Sequence, residues 1–322
     1  MLRNIMVPLD GSAFAEQALP LALAIARRSE ARLQLVAVRA SLQLDTATAP
    51  AETYLEQIAG QLESELPGRI TREVLASEFG PLEYPLARNT VADVLSRHAE
   101  EADVGLIVMT THGRGGIKRA WLGSVADSLI RIAPRPVLLM RPQDEAFGSA
   151  AGADRGLKHI LIPLDGSERA ERVLEFAQQL GGAYGARYTL LRVVSPLTFT
   201  TAPEWYNSYT AMPITPLSVD SALQYVEQVA ERLRRPDVRV DARAFESPGP
   251  ESAIVDYATE HGVDLIAMST GGAGGVRRLL LGSVADKVVR SSEIPVLVCN
   301  ARVIDTAGGT TGTESAAMAG RV

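Results

Sequence analysis

Two glycine-serine pairs carry the chemistry legible in this chain. Gly113 is followed, after nine intervening residues, by Gly123-Ser124, and Gly272 is followed at the same spacing by Gly282-Ser283. Glycine lets backbone approach a ligand closely and tolerates positive φ. A serine at the start of a helix puts its hydroxyl and the neighbouring amides where phosphate oxygens can be held. The same residues also have a purely structural reading. Ser124-Val125-Ala126-Asp127 and Ser283-Val284-Ala285-Asp286 are each Ser-x-x-Asp, close to a capping box. The two readings are compatible, because a capped helix keeps other amides. Asp10 and Asp165 close apolar runs within two copies of Pro-Leu-Asp-Gly-Ser. A carboxylate there can accept hydrogen bonds from a ribose hydroxyl or a base amine, or can simply make a turn before a helix cap. Lys118, Arg119, Arg277 and Arg278 lie between the paired glycines, available to neutralise phosphates or to stand on a solvated helix face.

Each of these features occurs twice because the chain does. Residues 106–140 and 265–299 align without a gap, with 18 of 35 positions identical. Residues 5–12, IMVPLDGS, recur as residues 160–167, ILIPLDGS. A repeat of this size is a duplicated domain rather than a solenoid, and each copy is long enough to bury its own core.

The elements that must position these residues alternate. In the first half, apolar runs predict strands over 3–9, 33–38, 70–77, 104–109 and 136–140, and helical periodicity predicts helices over 12–29, 52–66, 90–101 and 123–132. The second half repeats the order, with strands over 159–164, 187–194, 238–245, 264–269 and 295–299 and helices over 169–184, 221–234, 251–262 and 284–291. Such alternation makes βαβ units and a parallel sheet wrapped on both faces. Ligands of these sheets sit at the carboxyl ends of the strands, where strand order reverses. If the first and fourth strands of a half are neighbours, both motifs of that half meet in one crevice. Residues 195–216 form a long loop carrying Trp205, Tyr206 and Tyr209. We read domains over 1–142 and 158–302, a linker over 143–157 and a disordered Gly/Thr/Ala-rich tail over 303–322.

Composition narrows the classes. Hydrophobic residues make up 46% and charged residues 22%, as in a globular protein. The net charge of −6 argues against a nucleic-acid binder relying on bulk positive charge. The single cysteine, Cys299, forbids an intrachain disulfide, lies in an apolar run, and fits a reducing, cytoplasmic setting. No signal peptide is read at the N-terminus, and the apolar stretch 18–26 is too short to span a bilayer, so no membrane partner is expected. The four histidines have no metal-ligand spacing. There is no P-loop, no G-x-G-x-x-G after the first strand and no G-x-S-x-G elbow.

At the strand-end Asp and the glycine loop, the sequence resembles the universal stress protein family in its tandem two-domain form. The resemblance covers about residues 2–142 and 158–300. It implies an adenine-nucleotide site in each half. In the first, the matching residues are Pro8, Asp10, Val38, Met109, Gly113, Gly123, Ser124 and Val125, with Arg114 as a charged phosphate donor. In the second they are Pro163, Asp165, Val193, Met268, Gly272, Gly282, Ser283 and Val284. The family's first hallmark glycine is replaced by Thr110 and by Ser269, which puts a side chain where backbone would approach the nucleotide.

The resulting expectation is an α/β protein of two tandem Rossmann-like, doubly wound domains, each a five-stranded parallel sheet of order 3-2-1-4-5. The expected cofactor is ATP, with or without Mg, bound by a nucleotide-responsive module. The two lobes are expected to pair their last strands as an intrachain pseudo-dimer, with a homodimer as an option. Two alternatives stay open: a partner-binding protein with empty crevices, and a slow ATPase or adenylating enzyme. The first lobe is expected to bind more tightly, because Arg114 is matched by Ala273 in the second.

Overall fold

The computed structural model describes residues 2–40, 48–77, 90–111, 122–142, 156–196, 218–270, 282–300 and 302–303. In the first half the order is β1 (Asn4–Pro8), α1 (Ala13–Glu16), α2 (Leu19–Arg28), β2 (Arg32–Ala40), α3 (Thr48–Leu62), β3 (Ile70–Ser77), α4 (Val91–Glu101), β4 (Leu106–Thr110), α5 (Ser124–Ile132) and β5 (Val137–Met140). The second half gives β6 (His159–Pro163), α6 (Glu168–Glu171), α7 (Val173–Gly182), β7 (Arg187–Val194), α8 (Val219–Leu233), β8 (Val240–Glu246), α9 (Pro250–Glu260), β9 (Leu265–Ser269), α10 (Ser283–Ser291) and β10 (Val296–Cys299). The fold is α/β, two tandem Rossmann-like units with parallel pairing inside each.

One sheet runs through the molecule in the order β3-β2-β1-β4-β5-β10-β9-β6-β7-β8. Among the described strands, the pairs within each half are parallel, and β5 and β10 pair antiparallel, with Leu138 opposite Leu297. Both strands are buried throughout, so a solvent-facing edge here would expose four apolar residues together with unpaired backbone. Residues beyond β10 reinforce the junction. Asn300 donates from Nδ2 to the Ala133 carbonyl at 2.8 Å and Arg302 donates from Nη1 to the Ile132 carbonyl at 3.1 Å, so the second half satisfies the helix-end carbonyls of α5. Leu157 and Val303, which the sequence assigns to linker and tail, are both buried in the core.

Two apolar cores lie on opposite faces of the sheet and each runs through both halves. One packs α2, α3, α7 and α8 residues such as Ile25, Leu55, Val173 and Val226; the other packs α4, α5, α9 and α10 residues such as Leu95, Leu129, Ile254 and Val288. Cys299 is fully buried, and burial pushes its thiol pKa up, which suits a small hydrophobe.

Three helix expectations change. The expected helix 12–29 is nicked between α1 and α2, and 169–184 is nicked at the same place. Ala18 and Arg172 stay in right-handed helical geometry, so the axis continues while the hydrogen bonding tightens, as in Ala18 N–H to the Ala15 carbonyl. Pro20 contributes in the first half by lacking an N–H, but the second half shows the nick without a proline. The expected helix 52–66 is shifted to Thr48–Leu62, because Pro50 falls in the first turn, where its missing N–H costs nothing.

Candidate functional site

β1 lies between β2 and β4, with Ile5 level with Leu106, and β6 lies between β7 and β9, with Ile160 level with Leu265. The chain leaves β1 towards one face of the sheet and β4 towards the other. The crevice that this reversal opens receives the ends of both repeated motifs.

On one wall is the Asp-Gly-Ser turn. Asp10 Oδ1 accepts from the Ser12 N–H at 3.0 Å and from Ser12 Oγ at 2.6 Å, and Ser12 Oγ in turn accepts from the Ala15 N–H at 3.2 Å to cap α1. Asp165, Ser167 and Ala170 repeat this at 3.0, 2.6 and 3.1 Å. Gly11 and Gly166 take φ of 79° and 86°, which the turn requires and a β-carbon would strain. The turn-and-cap reading of these residues is thus realised. Asp10 nonetheless stays exposed, whereas Asp165 is half-buried.

On the other wall are the starts of α5 and α10. The Gly123 N–H donates to the Thr111 carbonyl at 2.7 Å and the Gly282 N–H to the Thr270 carbonyl at 2.9 Å, which pins each helix start to the end of its strand. The capping-box reading does not hold here. Gly123 and Gly282 are themselves the N-caps, Ser124 and Ser283 are the first helical residues, and no side chain caps either helix. The helices begin one residue earlier than a serine cap would require, so the Asp falls one position past the one that reaches back. Asp127 and Asp286 turn instead to Arg131 and Arg290, one helical turn on. The first-turn amides therefore face the crevice end of the helix together with the positive end of its dipole. The glycines are also explained locally. A β-carbon on Gly282 would come within 2.9 Å of the Thr270 carbonyl oxygen, so this glycine serves the close approach of helix to strand.

The apolar residues converge. Met109 is buried in the core on the α4/α5 face, and Val38 and Val125 pack against that core while remaining partly exposed. Met268, Val193 and Val284 occupy the same places in the second half. Pro8 and Pro163 end β1 and β6, half-buried. Thr110 ends β4, buried and level with Met140; Ser269 ends β9, half-buried and level with Cys299. Gly113, Arg114 and Gly272 lie outside the described residues, as do Lys118, Arg119, Arg277, Arg278 and residues 197–216 of the long loop.

Sequence reasoning passed over two features beside the crevices. Tyr54 donates to Glu16 at 2.9 Å and Tyr225 to Glu171 at 3.0 Å, tying the long helix of each half to the helix after its first strand. The signal was a Tyr and a Glu repeated in both halves, too far apart in sequence to suggest contact. The second feature is Arg192, at the end of β7. Its Nη1 lies 3.4 Å from the Leu164 carbonyl, and its guanidinium sits 5.7 Å from the Tyr225 ring centre.

Comparison with known proteins agrees with the duplication. A model of the universal stress protein family matches residues 1–141 and again 156–300. The chain is 26% identical over 311 residues to a universal stress protein of Mycolicibacterium smegmatis, covering 93% of this chain and 97% of that one. It is 33% identical over 143 residues to a universal stress protein of Thermus aquaticus, which covers 44% of this chain and 97% of the relative, so one half here matches a whole protein there. The crystal structure of a universal stress protein from Archaeoglobus fulgidus superposes with a TM-score of 0.63 at 21% identity, covering 93% of this chain and 97% of that one, a likeness of fold. No helix among the described residues is long and apolar enough to cross a membrane. With the family matched once in each half, this chain belongs to the universal stress protein family and carries two of its domains in tandem.

Proposed function

We propose that this protein binds adenine nucleotides, ATP above all, with one site per lobe, and works as a nucleotide-responsive regulatory module. The observation that carries the reading is the pairing, in each lobe, of a helix start without a side-chain cap and an Asp-Gly-Ser turn on opposite walls of the β1/β4 or β6/β9 crevice. Amides at a helix start suit phosphate oxygens, and a strand-end carboxylate suits hydroxyl or amine donors on a ribose or base. The partly exposed Val38 and Val125, with Met109 beneath them, give an apolar seat for a ring; Val193, Val284 and Met268 do so in the second lobe.

In this reading the phosphates lie against Ser124, Val125 and the 113–114 loop, and in the second lobe against Ser283, Val284 and Gly272. Pro8, Asp10 and Thr110, or Pro163, Asp165 and Ser269, border the nucleoside. Mg, where present, rides on the phosphates. The buried Thr110 fits beneath such a ligand rather than across it. The two lobes act as an internal pair in the cytoplasm, with self-association into a homodimer as a further level. Neither Asp is poised as a general base, since each is engaged by its own Ser, so the role is binding, with hydrolysis at most slow.

Mass spectrometry of small molecules released from the purified protein, followed by calorimetric titration with ATP, tests this. Two sites per chain are expected. A protein that carries no nucleotide and gives no heat with ATP sinks the reading and leaves a partner-binding protein.

A further inference from the structure

One cluster of charges spans the two lobes, and its bonding is lopsided. Leu138 on β5 lies opposite Leu297 on β10, and these two leucines hold the same place in the repeat. The antiparallel pairing therefore relates the halves by a local twofold axis between them. Across that axis Asp127 corresponds to Asp286 and Arg131 to Arg290. One set of bonds obeys the symmetry. Arg131 Nε donates to Asp127 Oδ2 at 3.1 Å, and Arg290 Nε donates to Asp286 Oδ2 at 2.9 Å. The other set breaks it. Nη2 of Arg131 and Nη2 of Arg290 both donate to Asp127 Oδ1, at 2.9 and 3.3 Å. Asp286 Oδ1 is buried with no hydrogen-bond partner among the described residues.

The symmetry-related arrangement keeps each Nε bond and brings both Nη2 groups to Asp286 Oδ1, leaving Asp127 Oδ1 without a donor. It contains the same bonds between the same kinds of group, so no large energy separates it from the arrangement seen. The two are discrete, because one carboxylate oxygen receives both guanidinium groups in each. The four side chains are 27–30% exposed, so the exchange needs no unpacking of the core.

The cluster lies beside both helix starts. The Asp127 N–H bonds the Gly123 carbonyl at 2.8 Å and the Asp286 N–H bonds the Gly282 carbonyl at 2.9 Å, so each Asp belongs to the first turn. Helix side chains lean towards the N-terminus. The Nη2 groups thus stand within about one helical turn, ~5 Å, of the first-turn amides of the helix they serve, inside the ~8 Å screening length of physiological salt.

We propose that this cluster makes the two sites negatively cooperative, because both compete for one pair of guanidinium groups. The proposal rests on the nucleotide reading above. Phosphate at the α5 start favours the arrangement with both Nη2 groups on Asp127, and phosphate at the α10 start favours the other. One element with two arrangements is therefore biased in opposite senses by the two ligands. A nucleotide in one lobe weakens binding in the other, equally in both directions. If each phosphate prefers its own arrangement about tenfold, and the arrangements are equal in energy, the second affinity falls about threefold. The chain then responds to nucleotide over a wider concentration range than two independent sites would.

A fixed charge stands in for the ligand in the test. Ser124 and Ser283 are exposed first-turn residues, so a glutamate there puts a carboxylate where phosphate is assigned. Crystal structures of the two variants without nucleotide should differ at the cluster. Both Nη2 groups should serve Asp286 Oδ1 in Ser283→Glu and Asp127 Oδ1 in Ser124→Glu. Calorimetry with ATP on Ser124→Glu reads the second lobe alone. Adding Asp127→Asn there should release both arginines to Asp286 and tighten ATP about threefold. Adding Asp286→Asn to Ser283→Glu should do the same for the first lobe. Both gains should vanish when Arg131→Gln and Arg290→Gln are also present. A gain that persists without the arginines is direct charge repulsion and overturns this proposal alone, as do identical cluster bonds in the two glutamate variants. No heat with ATP in any variant, wild type included, overturns it together with the nucleotide reading.

Discussion

Arg290, on α10 of the second half, donates from Nη2 to Asp127 Oδ1, on α5 of the first, at 3.3 Å. The same Asp127 accepts from Nε and Nη2 of Arg131 at 3.1 and 2.9 Å, while Arg290 Nε holds Asp286 Oδ2 at 2.9 Å. Asp127 and Asp286 are equivalent positions, as are Arg131 and Arg290, yet the bonding is lopsided. Asp127 receives two arginines, and Asp286 Oδ1 is buried with no hydrogen-bond partner among the described residues. The cluster links the two helices whose starts we assign to phosphate.

Removing Arg290 should cost little stability. These side chains are 27–30% exposed, so the cross-lobe ion pair is screened, and Arg290→Ala should lower unfolding free energy by at most about 1 kcal/mol. A double-mutant cycle with Asp127→Asn in urea checks it. A coupling well above that figure would show a stronger tie between the lobes than geometry and exposure allow.

The junction itself should depend on its apolar strands. Leu138 and Leu297 face each other in register and are essentially unexposed. Leu138→Ala or Leu297→Ala should each cost about 2–5 kcal/mol. Calorimetric scanning should show the loss in one shared transition, because both cores run through both halves. A loss confined to one of two separate transitions would mean that the halves unfold independently.

Ser124→Glu and Ser283→Glu should each remove one ATP from the binding stoichiometry while leaving thermal stability close to wild type. Gly282→Glu would be a poorer probe. Its β-carbon would press on the Thr270 carbonyl oxygen at 2.9 Å, so stability should fall whether or not a ligand binds there. Titration and melting of all three variants separate the two effects.

Acid should weaken the fold through His159. Its Nδ1 lies 3.1 Å from Arg187 Nη2 and 3.3 Å from the His261 carbonyl oxygen, and its Nε2 lies 2.9 Å from Thr189 Oγ1. Burial, then Arg187, lowers the imidazole pKa below 6.5. The unfolded chain therefore takes up this proton first. The stabilising contribution is complete above 6.5 and declines as pH falls through that value towards the folded pKa. Urea midpoints on either side of pH 6.5 should show the decline, and His159→Gln should reduce it. An unchanged slope in the variant would move the effect to other groups.

How much of this was legible beforehand differs by residue. The strand ends at Pro8-Leu9-Asp10 and Pro163-Leu164-Asp165, and the helix starts at Gly123-Ser124 and Gly282-Ser283, could be read because each is a local pattern of apolar run, turn and helix, and each was written twice. The capping role of Ser124 and Ser283 was misread because a one-residue shift in a helix start exchanges N-cap for first helical residue, and no local pattern fixes that shift.

Sequence by itself thus determined the duplication, the α/β alternation and the positions of both glycine-serine pairs, since these depend on short-range periodicity and on comparison of the chain with itself. Tertiary structure decided three things. It decided that β5 meets β10, bringing Arg290 within reach of Asp127, 163 residues away in sequence. It decided that Val38, Met109 and Val125, from three separate elements, meet at one apolar core. It decided that Arg192 rests on the turn that holds Asp165, where the first lobe has only Ala37. Each depends on which strands lie side by side and in what register, and side-chain contact across a sheet follows from that pairing rather than from distance along the chain.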